Sequence, residues 1–175
     1  MTKEDFFKIV TKSFSSSFDL YSNYRYNGKE YLYYGYFYNH NEKYVLTRDA
    51  KLWEANCYEH LFFIDAYKIV GDTEAYIMDL VKNELEPHFV RNDRRYPASN
   101  HMYSLITLVI INDIEPSSAT MNIIRSLKWS RSYLLTVRGD VTFRVVSVTP
   151  DTAHVVSNKA GREMAKLFQK MLDKQ

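Results

Sequence analysis

Three histidines stand near carboxylates in this sequence. His60 follows Glu59, His88 lies five residues before Asp93, and His101 opens the stretch His101-Met102-Tyr103-Ser104. Imidazole nitrogens with a carboxylate are a usual donor set for zinc, so His60, His88 and His101 with Glu59 or Asp93 are candidate metal ligands. No helical His-x-x-x-His pair sharpens that assignment. A histidine flanking a strand is more commonly a hydrogen-bonded boundary residue. Nucleophilic catalysis would need Cys57 or a serine beside a histidine base that an acid orients, and the chain has no Gly-x-Ser-x-Gly elbow. Its five glycines are scattered singly, so no glycine-rich loop offers a run of amides to a phosphate.

Aromatic residues make the second candidate chemistry. Of fifteen tyrosines, nine fall between Tyr21 and Tyr44. Tyr31, Tyr33, Tyr34 and Tyr36, with Arg91, Arg94 and Arg95 further on, form a candidate binding set in which rings stack on bases and guanidinium groups neutralise phosphates. Twenty-three basic against twenty-one acidic side chains leave a net charge of +2. That balance argues against a protein that coats nucleic acid, and favours tyrosines that cover a sheet or fill an interface with a second copy.

The elements that must position these residues are organised around Ser104 to Asp113. This long apolar run is rich in β-branched residues and lacks alternation, which predicts a strand buried on both faces in mid-sheet. Pro116-Ser117-Ser118 then starts a short helix with Ile123, Ile124 and Leu127 on its inner face, and a strand follows over 131–137. Upstream, Thr2 caps a first helix in which Phe7, Val10 and Phe14 share a face. From Phe18 the period becomes two, with Phe18, Leu20, Tyr24 and Tyr26 on one side. Asn27-Gly28 closes a hairpin. On its return strand, Glu30 to Tyr38, Tyr31, Tyr33 and Phe37 point one way and Leu32, Tyr34, Tyr36 and Tyr38 the other. A second turn at 40–42 leads into a strand over 44–47, residues 48–57 are less regular, and another strand runs from Glu59 to Tyr67.

Asp72 and Thr73 cap a second helix, carrying Ile77, Leu80, Val81 and Leu85 inside and ending at Pro87. The polar loop 91–100 follows. Val141 to Val148 returns as a hairpin strand across Arg138-Gly139-Asp140, residues 153–156 form a last short strand, and Ser157 or Asn158 caps a final helix with Met164, Leu167, Phe168 and Met171 inside. The order predicts a single-domain α/β protein over residues 1–175: a mixed sheet with an N-terminal antiparallel meander and helices on both faces.

The segments 41–53 and Glu59-His60-Leu-Phe-Phe63, then Pro87-His88, His101 to Ser104 with the Ile-Thr-Leu-Val-Ile run after it, 128–133 and Asn158 to Arg162, resemble a small uncharacterised bacterial family found mainly in Firmicutes. That resemblance covers most of the chain and implies no particular activity. A weaker one, in the order strand 61–67, helix, strand ending Asn112-Asp113, helix, strand from Tyr133, is to the restriction-endonuclease-like fold. It implies two carboxylates and a lysine around magnesium. Asp49, Lys51 and Asp65 would be the catalytic set, although Asp65-Ala66-Tyr67-Lys68 places its lysine one residue late and on the opposite face.

At 175 residues the chain can bury a core without disulfides. A lone cysteine suits a reducing compartment. Neither a signal peptide nor an N-terminal anchor is visible, and the apolar run is too short for a bilayer, which takes about 20 residues. The reading is therefore a cytoplasmic binding or assembly module without a recognisable active site. It acts through its tyrosine-rich meander, with a second copy or another protein as partner, nucleic acid as a lesser candidate, no membrane and no cofactor. The alternative is a divergent metal-dependent nuclease.

Overall fold

The computed structural model describes residues 1–44 and 51–173. A seven-stranded mixed sheet runs in the order β1-β2-β3-β4-β6-β5, with β7 also paired to β6. Strand β1 (Asp19–Tyr26) pairs antiparallel with β2 (Lys29–Tyr44), and β2 pairs antiparallel with β3 (Lys51–Asp65). Strand β4 (His101–Ile111) lies parallel between β3 and β6 (Asp140–Thr149). It is the central strand that its unbroken apolar run demands. Strands β5 (Ser130–Ser132) and β7 (His154–Ser157) add antiparallel to β6.

Helices cover both faces. Alternate residues of the central strands, Phe62 and Ile64, Ile106 and Leu108, Phe143 and Val145, pack beneath Ile77, Leu80 and Leu85 of the second helix and Ile124 of α3 (Ser118–Ser126). The intervening set, Leu61, Phe63, Val109, Ile111, Val146 and Val148, packs against Phe6, Val10 and Phe14 of α1 (Lys3–Phe14) and Met164, Phe168 and Met171 of α4 (Arg162–Leu172). Caps fall where short polar side chains permit them: Thr2, Asp72 and Ser117 each accept a hydrogen bond from the amide three residues on. On α1 it is Phe6, not Phe7, that is fully buried; Phe7 lies half-buried against Tyr33.

Several expectations are corrected. There is no turn at 40–42: β2 continues to Tyr44, and β3 begins at Lys51 and ends at Asp65, where the chain enters a 3-10 turn over Ala66–Lys68. The expected strand over 44–47 falls mostly outside the described residues. Second, the meander changes faces midway. Phe18, Leu20, Leu32 and Tyr33 pack on the α1 side, whereas Tyr24, Tyr26, Tyr31, Tyr34 and Tyr36 pack on the other. Between the pairs Ser22↔Tyr33 and Tyr24↔Tyr31, Asn23 takes a left-handed φ of 49°, and strict alternation is lost there.

Third, Pro87 does not end the second helix. After α2 (Thr73–Asp79) the helix continues as a π-helix over Leu80–Val90. Its buried positions, Leu80 and Val81, Leu85 and Glu86, then Val90, recur every five residues, as i→i+5 bonding requires. The wider turn eases the clash of a proline ring with the carbonyl four residues back. Fourth, residues 133–137 are not a strand. Leu134, Leu135 and Thr136 have φ of 50°, 52° and 72°, and hydrogen bonds from Val137 to Leu134 and from Arg138 to Tyr133 close a left-handed turn.

The last helix is also entered differently. Its cap position is Gly161, and Asn158 is instead a buried bracket. The Asn158 Oδ1 accepts from the Val145 and Gly161 amides, while Nδ2 donates to the Leu127 and Phe143 carbonyls. Leu167 is partly exposed rather than internal.

A candidate aromatic binding cleft

The sheet face opposite α1 is not covered along its whole length. Beyond the end of the π-helix a cleft of about 390 Å³ remains, with Tyr34 and Tyr36 of β2, Tyr58 and His60 of β3, and His101 of β4 along the sheet. His88, Phe89 and Val90 close it from the helix, and Asn92 and Ala98 from the following loop. Strand alternation explains the floor, because Tyr34 and Tyr36 share a face, as do Tyr58 and His60. The π-helical register delivers His88 and Phe89 to the opposite wall.

The rings are ordered. Tyr34 lies within 10° of the plane of His60, and Tyr58 within 9° of His101, at centroid separations of 6.1 and 5.9 Å. Phe89 meets Phe62 edge-on at 4.9 Å. No Asp, Glu, Lys or Arg lines the cleft among the described residues.

The histidines differ in state. His101 Nδ1 lies 2.9 Å from the Arg138 carbonyl, which only accepts, so this nitrogen carries the proton. Nε2 of the same ring, 2.8 Å from Ser104 Oγ, then accepts the serine hydroxyl. Burial holds its pKa below the ordinary range. His88 Nδ1 contacts Asp93 Oδ2 at 2.7 Å, and its ring stacks on Tyr26. His60 is only 3% exposed, and burial pushes its pKa down to about 3, so it is neutral. Its Nδ1 is 2.9 Å from the Tyr34 hydroxyl. Phenol is the stronger donor, so we assign Tyr34 as donor and Nε2 of His60 as the protonated nitrogen. That Nε2 is buried and has no hydrogen-bond partner. An unmade bond of this kind costs about 1–3 kcal/mol.

The three histidines singled out as metal ligands thus converge on one cleft, each with its Nδ1 already hydrogen-bonded, to Tyr34, Asp93 and the Arg138 carbonyl respectively. Among the described residues no group of three or more His, Cys, Asp or Glu side chains is arranged to hold a metal ion. The candidate tyrosines divide. Tyr31 is buried in the core, Tyr33 stacks on Phe7 at 4.8 Å, and Tyr34, largely buried, and Tyr36 line the cleft. Arg91 is committed to Glu86 through two hydrogen bonds of 2.7 and 3.0 Å, and Arg95 lies over Tyr96 of its own loop; Arg94 is exposed. They form no basic groove with the tyrosines.

The nuclease set is not brought together. Lys51 and Asp65 are the first and last residues of the 15-residue β3, roughly 45 Å apart at ~3.3 Å per residue. Asp49 and the Lys51 side chain lie outside the described residues. Asp65 is held by Lys3 at 2.5 Å, which also reaches Asp113, and Lys68 pairs with Glu30 at 3.4 Å. Tyr58, Phe89 and the loop residues Asn92 and Ala98 were not anticipated. The signal for Tyr58 was its i, i+2 spacing from His60.

A sheet with helices on both faces and a cleft lined by tyrosines and histidines at one end defines an α/β domain with a preformed pocket. The chain belongs to the family described as Domain of unknown function (DUF8052), whose pattern it matches over residues 2–170. No curated protein and no solved structure matches it. No helix among the described residues is long and apolar enough to cross a membrane.

Proposed function

We propose that this chain is a binding domain for a small uncharged ligand, taken up in the aromatic cleft that the tyrosine-rich meander helps to build. The observation that carries the reading is the preformed cleft of about 390 Å³, walled by tyrosine, histidine and phenylalanine rings from three strands and the π-helix. The cavity volume lies in the range of small-molecule sites, and its walls combine aromatic rings with hydroxyl, imidazole and amide groups able to fix a ligand's orientation. Macromolecular recognition is less well supported, since two of the four candidate tyrosines are core residues and Arg91 is internally paired.

The test is a ligand-observed NMR screen of uncharged fragments on the wild type and on Ala98→Trp. Ala98 is exposed at the cleft, where an indole fills the opening. The expected result is a set of saturable hits that Ala98→Trp abolishes. A screen without hits, or hits that persist in the variant, refutes the reading.

A further inference from the structure

The turn between β5 and β6 combines backbone strain with apolar exposure. Leu134, Leu135 and Thr136 hold φ of 50°, 52° and 72°, a region that residues with a Cβ visit rarely and a β-branched one least of all. Burial does not offset that strain, because the side chains face outward: Leu134 is 45% exposed, Val137 75% and Leu135 94%. Met102, against whose backbone Gly139 closes the turn, is half exposed beside them. Strain maintained in order to display leucines to solvent points to a use at that spot.

We propose that this turn is a membrane-docking tip, which inserts Leu134, Leu135 and Val137 among the acyl chains of an anionic bilayer while the arginines around it meet lipid phosphates. The surrounding charge is complementary to such a surface. Arg138 directly follows Val137 and donates to the Pro97 carbonyl at 3.3 Å, which brings the 91–96 loop alongside with its exposed Arg94 and Arg95. Arg131, half exposed, lies over the ring of Tyr133. Glu86 sits between Arg91 and Arg131 and cancels only one of the two; it is itself fully buried. Of the other nearby acids, Asp93 is bonded to His88 and Asp140 is partly buried at the start of β6. A protein partner fits less well, since a stable interface takes about 800 Å² of complementary surface from each side and a four-residue tip supplies little. A bilayer accepts an apolar tip of any shape, and each basic group near an anionic leaflet adds attraction. The expectation of no membrane rested on a short apolar run and a missing N-terminal anchor, and neither bears on a surface turn.

The experiment sediments the full chain with vesicles of phosphatidylcholine, with and without phosphatidylserine. Saturable binding is expected only where phosphatidylserine is present, weakening as salt is raised. Leu135→Ser with Val137→Ser, both at exposed positions that leave the core untouched, should weaken binding at least tenfold, and Arg94→Gln with Arg95→Gln about fivefold for each arginine removed. Ile114→Ser, at an 83% exposed residue beyond the opposite end of β4, should bind as the wild type does. Circular dichroism confirms that each variant is folded. No vesicle binding, equal binding to both compositions, or binding that the Leu135 and Val137 variant retains overturns the proposal. So does a concentration-dependent dimer that this variant dissolves in the absence of vesicle binding, which gives the turn to a second copy instead. Neither result touches the cleft, whose ligand the Ala98→Trp screen tests separately.

Discussion

Arg91→Met is expected to destabilise the fold by about 3 kcal/mol, and the reasoning starts from Glu86. This side chain is fully buried on the inner face of the π-helix. Its carboxylate accepts Arg91 Nε at 2.7 Å and Nη2 at 3.0 Å, accepts the Tyr133 hydroxyl, and has Arg131 Nη1 at 3.6 Å. Removing one partner of a buried ion pair leaves an uncompensated charge and costs roughly 3–5 kcal/mol. Tyr133 and Arg131 remain in the variant, so the low end of that range applies. For a chain of this size each kcal/mol moves the melting temperature by about 2–4 °C, which gives a drop of about 6–12 °C. The same substitution frees the Arg94 carbonyl, to which Arg91 Nη1 donates at 2.5 Å, and so loosens the loop carrying Asn92 and Ala98. Urea denaturation followed by circular dichroism measures the loss. The control is Glu86→Leu with Arg91→Met, where no charge is stranded and at least half of the lost stability should return. A single variant that loses less than 1 kcal/mol, or a double variant no more stable than the single, refutes the account.

Asn158→Ala should cost about 3 kcal/mol in the same assay, because four hydrogen bonds to buried backbone groups vanish at about 1 kcal/mol each, partly offset by relaxation. Gly139→Ala and Gly28→Ala should diverge although both glycines have φ of +73°. At Gly139 a Cβ would lie 2.2 Å from the Met102 carbonyl oxygen, whereas Gly28 has open space. The first should lose more than 2 kcal/mol and the second only about 1 kcal/mol of conformational strain. His60 makes stability fall as the solution is acidified. Its pKa is about 3 folded against 6.5 unfolded, so the unfolded chain binds the extra proton between those values. Its contribution is intact above pH 6.5 and is lost by about 2 kcal/mol between pH 7.5 and 5, and chemical denaturation of His60→Phe should be correspondingly flatter over that interval.

Legibility in the sequence followed how local each cause was. The run from Ser104 to Asp113 displays its burial residue by residue, and it became the central strand β4. Thr2, Asp72, Ser117 and Asn27-Gly28 act through bonds or dihedrals within a few residues, and each does what its type predicts. Asn23, by contrast, carries no signal that separates a left-handed residue in mid-strand from an ordinary one, and one such residue sends Tyr24 and Tyr26 to the face opposite Phe18 and Leu20. Leu134, Leu135 and Thr136 have types that favour a strand, and a left-handed turn there is a tertiary outcome closed by Tyr133 and Gly139.

The cleft was half legible for the same reason. His60, His88 and His101 were conspicuous as residue types, but their role depends on which nitrogen already has a partner, and of those partners Tyr34, Asp93 and Arg138 come from other elements or from loop geometry, Ser104 alone lying on the same strand as its histidine. The π-helix is the decisive hidden variable. In a 3.6-residue repeat continuing the stripe of Ile77, Leu80, Val81 and Leu85, position 88 would turn inward and position 86 outward. The five-residue repeat instead buries Glu86, and with it the Arg91 anchor of the loop, and leaves His88 and Phe89 at the wall of the cleft. A proline at 87, which reads in sequence as a stop, is compatible with that wider turn. The buried charge pair and the aromatic cavity are therefore two consequences of one change of helical register.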